Sequence, residues 1–409
     1  MTAGSRGDVA PFTGLGQALV RAGHEVTLVT HDRFAPLVAG SGVGFHALAV
    51  DPRAELETPQ GRGLSRSVSA VGKMVRLAAM ARAVAGRMTD DLLAAAQSSE
   101  MLLLSGSLVP LGHSVAEGLR LPSVGLYLQP LAATREFPPS VLGAGSWGAV
   151  GNRLAGHGMG LAAEQVLSAA VREVRDRLGL PRQRPGAAWR ARERANWPVL
   201  HGFSPLVVPR PRDWRPGLEV AGYWWPYDRE PGLPPELRDF LDAGPAPVFV
   251  GLGSATPPDP ARLSAEIVRA LRRAGLRGVF QRGWGELAAA GDDMLTVGEV
   301  PHSVLFPRMA AVVHHAGAGT TAAGVRAGVP AVPVPVQFDA GFWAARLVAL
   351  GVAPRAVPLR RLTAETLTPA LVRATRDPAI RERARVLGAR VRAEDGTVAV
   401  VERVNALRA

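Results

Sequence analysis

Short apolar runs alternate with segments of helical periodicity along most of the chain. The runs Met101–Ser105, Ser123–Tyr127 and Val248–Gly251 show no regular polar alternation, which is typical of strands covered on both faces. Ala3–Ala22 and Asp259–Ala274 instead place apolar residues at helical spacing. This order predicts an α/β fold with two Rossmann-like, doubly wound parallel-sheet domains that face each other across a cleft.

The chain of 409 residues is long enough for two domains. We predict an N-terminal domain at residues 1–208, a linker rich in proline and tryptophan at 209–235, and a second domain at 236–390. The terminal helical segment, 391–409, is predicted to return to the first domain. Leu206–Val208 is expected to be the last strand of the first domain.

Three longer helical stretches are predicted, at Leu64–Gln97, Leu154–Leu178 and Pro378–Leu407. In contrast, Gln129–Trp147 is rich in proline, glycine and serine and is expected to form an irregular loop. Loops of this length in compact domains often bind ligands, so this one is a candidate wall or lid of a binding site.

Glycine-rich turns follow three predicted strands, at Gly4–Gly7, Gly251–Ser254 and Gly317–Gly319. Glycine lets backbone N–H groups approach an anion, and a following helix adds unpaired donors and partial positive charge. These turns therefore predict phosphate binding. Only Met1–Ala3 precede the first turn, whereas a buried strand normally has about five residues. We expect either a short edge strand there or a true start that lies upstream.

Composition narrows the chemistry. The chain has no cysteine, which excludes disulfides, thiolate metal sites and cysteine nucleophiles. The net charge of +12 comes almost entirely from scattered arginines, since Lys73 is the only lysine, and a solvated surface explains it better than nucleic-acid binding. No apolar run reaches the roughly 18 residues that span a membrane, and the first ten residues contain no apolar signal region. We expect a cytoplasmic protein without an integral membrane segment.

One sequence feature favours a competing hypothesis, a nicotinamide-dependent oxidoreductase. Gly317-x-Gly319-x-x-Ala322 matches a loose dinucleotide fingerprint, and Asp339 lies 20 residues after Gly319. Two prolines interrupt the strand that precedes Asp339, and the first domain has its own glycine turn with Asp8 beside it. A dehydrogenase has no evident need of both turns.

Taken together, the motifs resemble those of a known family. They are Gly4-Ser5-Arg6-Gly7-Asp8-Val9, Gly222-Tyr223-Trp224-Trp225, Gly251-Leu252-Gly253-Ser254, Val300-Pro301-His302 and the block HHAGAGTTAAGVRAGVP that begins at His314. In this order they resemble the family 1 nucleotide-sugar glycosyltransferases of GT-B architecture, in particular the bacterial branches that are similar to sterol glucosyltransferases or that tailor antibiotics. The resemblance covers nearly the whole chain.

The resemblance implies an inverting transfer that uses a UDP- or TDP-sugar as co-substrate, with no other cofactor and no metal. Asp8 matches the family's base, which takes the proton of the attacking hydroxyl. Local sequence alone favours a different role, in which Asp8 caps the following helix. Both roles are compatible with one carboxylate.

The resemblance also assigns residues to the nucleotide sugar. The diphosphate is expected at the glycine turn after His315 and at Ser254, the nucleobase edge at the backbone of Val300, and Trp284 either stacks on the base or packs against apolar neighbours. The complete expected set is Ser5, Arg6, Ser254, Trp284, Val300, His315, Gly317, Gly319, Thr320 and Asp339.

Two departures from the family pattern affect the expected substrates. Asp339 is followed by Ala340 where the family often has glutamine, so the expected donor includes deoxysugars and other hexoses. Ala323 stands where plant relatives have a ribose-binding glutamate. Apolar helices and the loop Gln129–Trp147 suggest a hydrophobic small-molecule acceptor such as a polyketide, sterol or terpenoid. A sugar-nucleotide-binding auxiliary protein without chemistry is the main alternative.

Overall fold

The computed structural model describes residues 1–50, 86–184, 186–228, 232–336 and 338–408. The predicted helix Leu64–Gln97 lies largely outside these residues, and its described part, 86–97, is helical.

Strands alternate with helices as the sequence pattern predicts, and every strand pair among the described residues is parallel. The strands are β1 Thr27–His31, β2 Gly44–Leu48, β3 Leu102–Ser105, β4 Ser123–Tyr127, β5 Val199–His201, β6 Leu218–Val220, β7 Val248–Gly251, β8 Gly278–Gln281, β9 Met294–Val297, β10 Ala311–His314 and β11 Ala331–Pro333. The helices, besides 86–97, are α1 Arg6–Arg21, α2 Ala35–Val38, α3 Val109–Leu119, α4 Gly148–Val166, α5 Ser168–Arg177, α6 Ala187–Arg194, α7 Pro235–Asp242, α8 Pro260–Ala274, α9 His302–Leu305, α10 Ala318–Ala327, α11 Ala340–Ala349, α12 Ala364–Arg376, α13 Pro378–Arg392 and α14 Val398–Arg408.

The first residues of the chain join two parts of the N-terminal sheet. β1 pairs with β2, and β3 to β6 form a second group in sequence order. Thr2 N–H donates to Val29 O of β1 (2.9 Å), while Met1 donates to Leu103 O (2.7 Å) and Met1 O accepts from Ser105 N–H of β3 (3.0 Å). The expected short edge strand is therefore wrong in position: the segment is short, but it lies in the middle of the sheet.

The second domain is built on the sheet β11-β10-β7-β8-β9. All four residues of β7 and of β10 are buried, because helices cover both faces of the sheet. Helix α8 turns Leu263, Ile267 and Leu271 toward this core at a spacing of four residues. Full burial of each such side chain stabilises the fold by about 1.5–3 kcal/mol.

The segment predicted as a linker, residues 209–235, contains β6 of the first sheet. Leu218 pairs with Val199 of β5, so the chain still belongs to the first domain at this point. Leu206–Val208, predicted as a strand, is instead a buried turn in which Val208 N–H donates to Ser204 O (3.0 Å). The apolar pattern identified burial at this place but not the backbone conformation.

Two predicted helices are interrupted. The stretch Leu154–Leu178 is divided at Leu167 into α4 and α5. The stretch Pro378–Leu407 is divided between α13 and α14, where Gly396 packs so tightly on Gly222 that an added Cβ would clash with that backbone. This crossing returns α14 to the first domain, where its buried valines join the core formed by α1 and β1.

A shared apolar cluster fixes α11 of the second domain against the first domain. Trp343 is fully buried and meets the ring of Phe203 edge-on, with ring centroids 6.1 Å apart. Arg346, one turn later, donates from Nε and Nη2 to Val207 O at 2.9 and 2.6 Å. Since α11 begins next to Asp339, these contacts also set the position of that carboxylate.

Candidate active site

The sheet of the second domain gathers the predicted nucleotide-sugar residues at one edge. Ser254 follows β7, Trp284 follows β8, Val300 follows β9, His315 follows β10 and Asp339 follows β11. Because all five strands are parallel, their carboxyl ends meet at the same edge. Ligands of open α/β sheets bind in this position, so the fold alone brings these residues to a common site.

Glycines let the loops after β7, β8 and β10 approach one another closely. A Cβ added to Gly253 would lie 2.7 Å from Cε1 of His315, and one added to Gly283 would lie 2.7 Å from Gly253 O. Both glycines have positive φ angles of 57°. Any side chain at these two positions would push apart the loops that carry Ser254, Trp284 and His315.

His315 is held neutral in this loop cluster. Burial lowers the pKa of its imidazole to about 4, partly opposed by the carbonyl of Gly251. Its Nδ1 is buried and has no hydrogen-bond partner of good geometry among the described residues. His314, in contrast, is fully buried in the core, with Nδ1 accepting from Ala316 N–H at 3.1 Å.

The helix after His315 starts at the cleft. Gly317 is the N-cap residue of α10, and Gly319 and Thr320 lie in its first turn. A Cβ added to Gly319 would lie 3.9 Å from Cα of Gly7, in the first turn of α1. The starts of α10 and α1 therefore face each other across the two domains, which directs their unpaired N–H groups toward the same space.

Asp8 lies in the first turn of α1, on the opposite side of this space. Ser5 donates to its Oδ2 from the backbone N–H (2.8 Å) and from Oγ (3.0 Å), and the side chain of Gln129 is a further donor. Burial is the dominant effect and raises the pKa of the carboxyl group despite these bonds. Asp8 thus completes a capping box with Ser5, the N-cap residue of α1, and so contributes to the capping that local sequence favoured. It also lines a small cavity together with Ser105, Ser107 and Gln129.

Asp8 and Asp339 face the same cleft. Burial has the largest effect on the pKa of the Asp339 carboxyl group and raises it, and the charge of Asp8 raises it further. A hydrogen bond from Trp343 Nε1 to Oδ2 (2.7 Å) opposes this shift. Trp343 was not predicted as a site residue, because nothing in the local sequence indicates that an indole four residues later orients this carboxylate. One oxygen of Asp339 is thus held by the protein.

Two predicted residues have protein partners in the cleft. Arg6 forms an ion pair with Glu299, the residue before Val300, and so links the first turn of α1 to the loop after β9. The guanidinium of Arg33 lies 5.3 Å from the ring centroid of Trp284, across the domain boundary. A nucleobase that stacks on this face of Trp284 would have to displace Arg33, which the sequence did not indicate.

The loop predicted at Gln129–Trp147 forms a fixed wall. Thr134 Oγ1 donates to Asp213 at 2.6 Å, and the buried amide of Asn152 contacts the backbone at Arg135 and Trp147. The wall reaches α11, where the rings of Phe137 and Phe342 lie 5.3 Å apart. The loop therefore contacts the second domain near Asp339 as well as lining the first.

Substitution of Gly4 tests the position of Asp8 without removing its carboxylate. Gly4 has a φ angle of 144°, and a Cβ there would lie 2.5 Å from Oδ2 of Asp8. We expect Gly4→Ala to lower the turnover number by about 100-fold, since a shift of about 1 Å in a catalytic group costs that much. Gly324→Ala in α10 is the control, because a Cβ there would meet no atom within 4 Å. Equal rates in both variants would contradict the assignment.

Within the described residues, no group of three or more histidine, aspartate or glutamate side chains is arranged to hold a metal ion. Over the same residues, no helix has the length and apolar content needed to cross a bilayer.

Known proteins share this architecture. The glycosyltransferase of kitacinnamycin superposes with a TM-score of 0.71 at 20% identity, covering 99% of this chain and 97% of that one. The calicheamicin glycosyltransferase CalG4 gives 0.69 at 19% identity, covering 99% and 96%. The fold is therefore that of the GT-B glycosyltransferases, as predicted.

Sequence comparison identifies the family. The model of the glycosyltransferase family 28 N-terminal domain matches residues 1–104, and that of the C-terminal domain of erythromycin biosynthesis protein CIII-like proteins matches residues 261–407. O-mycaminosyltylonolide 6-deoxyallosyltransferase of Streptomyces fradiae is 37% identical over 97% of this chain and 94% of its own length. A sterol 3-beta-glucosyltransferase of Pichia angusta is 32% identical over 99% of the chain, which spans only 33% of that relative.

The chain therefore belongs to the family of GT-B glycosyltransferases that contains antibiotic sugar transferases and sterol glucosyltransferases. The predicted family is confirmed, and the protein is a glycosyltransferase. None of these relatives supports the oxidoreductase or the auxiliary-protein hypothesis.

Proposed function

We propose that the protein is an inverting glycosyltransferase that transfers a hexose or deoxyhexose from a UDP- or TDP-sugar to a hydroxyl group of a lipophilic small molecule. The observation that carries the proposal is the pair of facing helix starts. Asp8 lies in the first turn of α1, and the predicted diphosphate site lies at the start of α10. The two helix starts approach each other across the cleft, where a Cβ added to Gly319 would lie 3.9 Å from Cα of Gly7.

The proposed reaction forms one bond to the anomeric carbon, breaks another and transfers one proton to Asp8. The acceptor oxygen attacks the anomeric carbon, its proton passes to the Asp8 carboxylate, and the bond from that carbon to the phosphate oxygen breaks. Attack opposite the leaving group inverts the configuration. Burial raises the pKa of Asp8, which brings its proton affinity closer to that of the hydroxyl. The negative charge that develops on the diphosphate is stabilised by His315 and by the N–H groups at the start of α10.

The substrate classes come from the relatives and from the site. The named relatives transfer a 6-deoxyallosyl group or glucose, and one similar structure contains thymidine diphosphate. Asp339 supplies a carboxylate for sugar hydroxyls, whereas Ala340 supplies no amide, which favours donors with fewer hydroxyls to recognise. The acceptor is proposed to be lipophilic because the relatives act on O-mycaminosyltylonolide and on sterols.

Product analysis tests the proposal. Mass spectrometry after incubation with separate UDP- and TDP-sugars and a panel of sterol and polyketide acceptors should show a glycosylated product and released nucleoside diphosphate. We expect the rate to be unchanged in EDTA, because fixed donors rather than a divalent cation meet the leaving-group charge. Nucleotide binding without turnover across the panel would favour a binding protein, and loss of rate in EDTA that is restored by Mg²⁺ would contradict the metal-independent mechanism.

A further inference from the structure

The turn that carries Asp8 is fastened to the neighbouring strand by a histidine. His31 is the last residue of β1 and is only 3% exposed. Its Nε2 accepts a hydrogen bond from Gly4 N–H at 3.0 Å. Two residues earlier, Thr2 N–H donates to Val29 O of the same strand at 2.9 Å. The segment before α1 is thus attached to β1 at two points, once through backbone and once through the imidazole.

The bond to Gly4 defines the chemical state of the imidazole. A ring nitrogen accepts a hydrogen bond only when it is unprotonated, so Nε2 must keep its lone pair and the proton must reside on Nδ1. The imidazolium form would present N–H toward the N–H of Gly4 and could not make this bond.

His31 holds the peptide between Ala3 and Gly4, which lies directly before the residue that supplies the donors for Asp8. Ser5, the next residue, gives both its N–H and its Oγ to Oδ2 of Asp8. Gly4 itself leaves no space for a side chain, since that space is filled by the Asp8 carboxylate. A shift of Gly4 away from Nε2 of His31 would therefore displace Ser5 as well, and with it both hydrogen bonds of the carboxylate.

We infer that His31 is a positioning residue for glycosyl transfer: it accepts the N–H of Gly4 and so aims the Asp8 carboxylate at the acceptor hydroxyl. The inference depends on the proposed role of Asp8 as base. A histidine that only fills the core, with its ring near that of Phe34 at 6.3 Å, would be replaceable by another ring of similar size. Loss of the acceptor atom distinguishes the two roles.

Substitutions at His31 test this inference. We expect His31→Phe, which keeps a ring but has no acceptor, to lower kcat by about 10- to 100-fold, as misplacement of a catalytic group does, with the donor KM within about twofold of the native value. His31→Gln should recover at least about tenfold of this loss, because its amide oxygen can accept from Gly4. His46→Phe, on the neighbouring strand β2, is the control and should leave kcat unchanged.

A double-mutant cycle with Asp8→Asn separates the outcomes. With the base removed, His31→Phe should have no further effect on the residual rate, whereas a general structural defect would lower it again. Native kcat in His31→Phe, or equal losses in the Phe and Gln variants, would overturn the inference. If His31→Phe does not fold, His31→Met takes its place, since methionine matches glutamine in size and has only a weak acceptor. Full activity of Asp8→Asn alone would instead reject the proposed function.

Discussion

Replacement of Asp8 by asparagine is expected to lower the turnover number by about two to four orders of magnitude, the usual contribution of a positioned base. The amide keeps the size of the carboxylate and can still accept the hydrogen bonds of Ser5, but it cannot take a proton. Nucleoside diphosphate affinity should stay unchanged, because that ligand is assigned to the second domain. Steady-state kinetics and calorimetric titration measure the two quantities separately. Glu25→Gln, an exposed acid-to-amide change in the same domain, is the control.

Loss of activity in Asp8→Asn should not come from loss of stability. Burial raises the pKa of Asp8 in the folded state, so the group favours the folded state below its unfolded-state pKa, and this contribution is lost as the pH rises through the folded-state pKa. At neutral pH the ionised carboxylate thus destabilises the fold relative to a neutral amide, and the variant should melt at an equal or higher temperature.

The pH profile of the native enzyme follows from the same shift. Since the base must be ionised, kcat/KM should fall on the acid side with an apparent pKa above the 3.8 of an ordinary aspartate. A lower Tm in Asp8→Asn, or nearly full activity, would contradict the assignment of Asp8 as the buried base.

The positions of the site residues along the chain could be predicted because each follows a strand. An apolar run with a polar or glycine-rich end specifies a buried strand and the loop after it, and parallel packing then brings Ser254, Val300 and His315 together. The same pattern failed at β6 in the proline-rich segment. There the strand conformation comes from pairing with β5 in the folded sheet. The local sequence of the segment does not indicate that pairing.

Contacts across the cleft could not be predicted, because they depend on how the two domains meet. Arg6 was expected at the nucleotide sugar, and the structure pairs it with Glu299. Arg33 on Trp284 and Trp343 on Asp339 are tertiary contacts without a local signal. The hydrogen bond from the backbone of Gly4 to His31 likewise has no local signal in the sequence.

Removal of the His315 side chain is expected to lower kcat/KM for the nucleotide sugar by about 100- to 1000-fold, the cost of one preorganised donor at a developing anion. Its imidazole is neutral at pH 7, since burial lowers the pKa to about 4, so it would act as a hydrogen-bond donor rather than a cation. His315→Ala should therefore impair transfer and nucleoside diphosphate binding together, while His315→Gln, which can donate, should retain part of both.

A matched glycine pair tests the same contact with the imidazole still present. A Cβ at Gly317 would clash with Nε2 of His315, whereas a Cβ at Gly324, further along α10, would meet no atom within 4 Å. Gly317 has a φ angle of −69°, so alanine there brings no backbone strain of its own. We expect Gly317→Ala to reproduce a large part of the His315→Ala defect and Gly324→Ala to behave as native. Native diphosphate affinity in both His315→Ala and Gly317→Ala would place the anion elsewhere. A ligand bound at the start of α10 should lose affinity when the imidazole donor is removed or when a methyl group fills the space beside it.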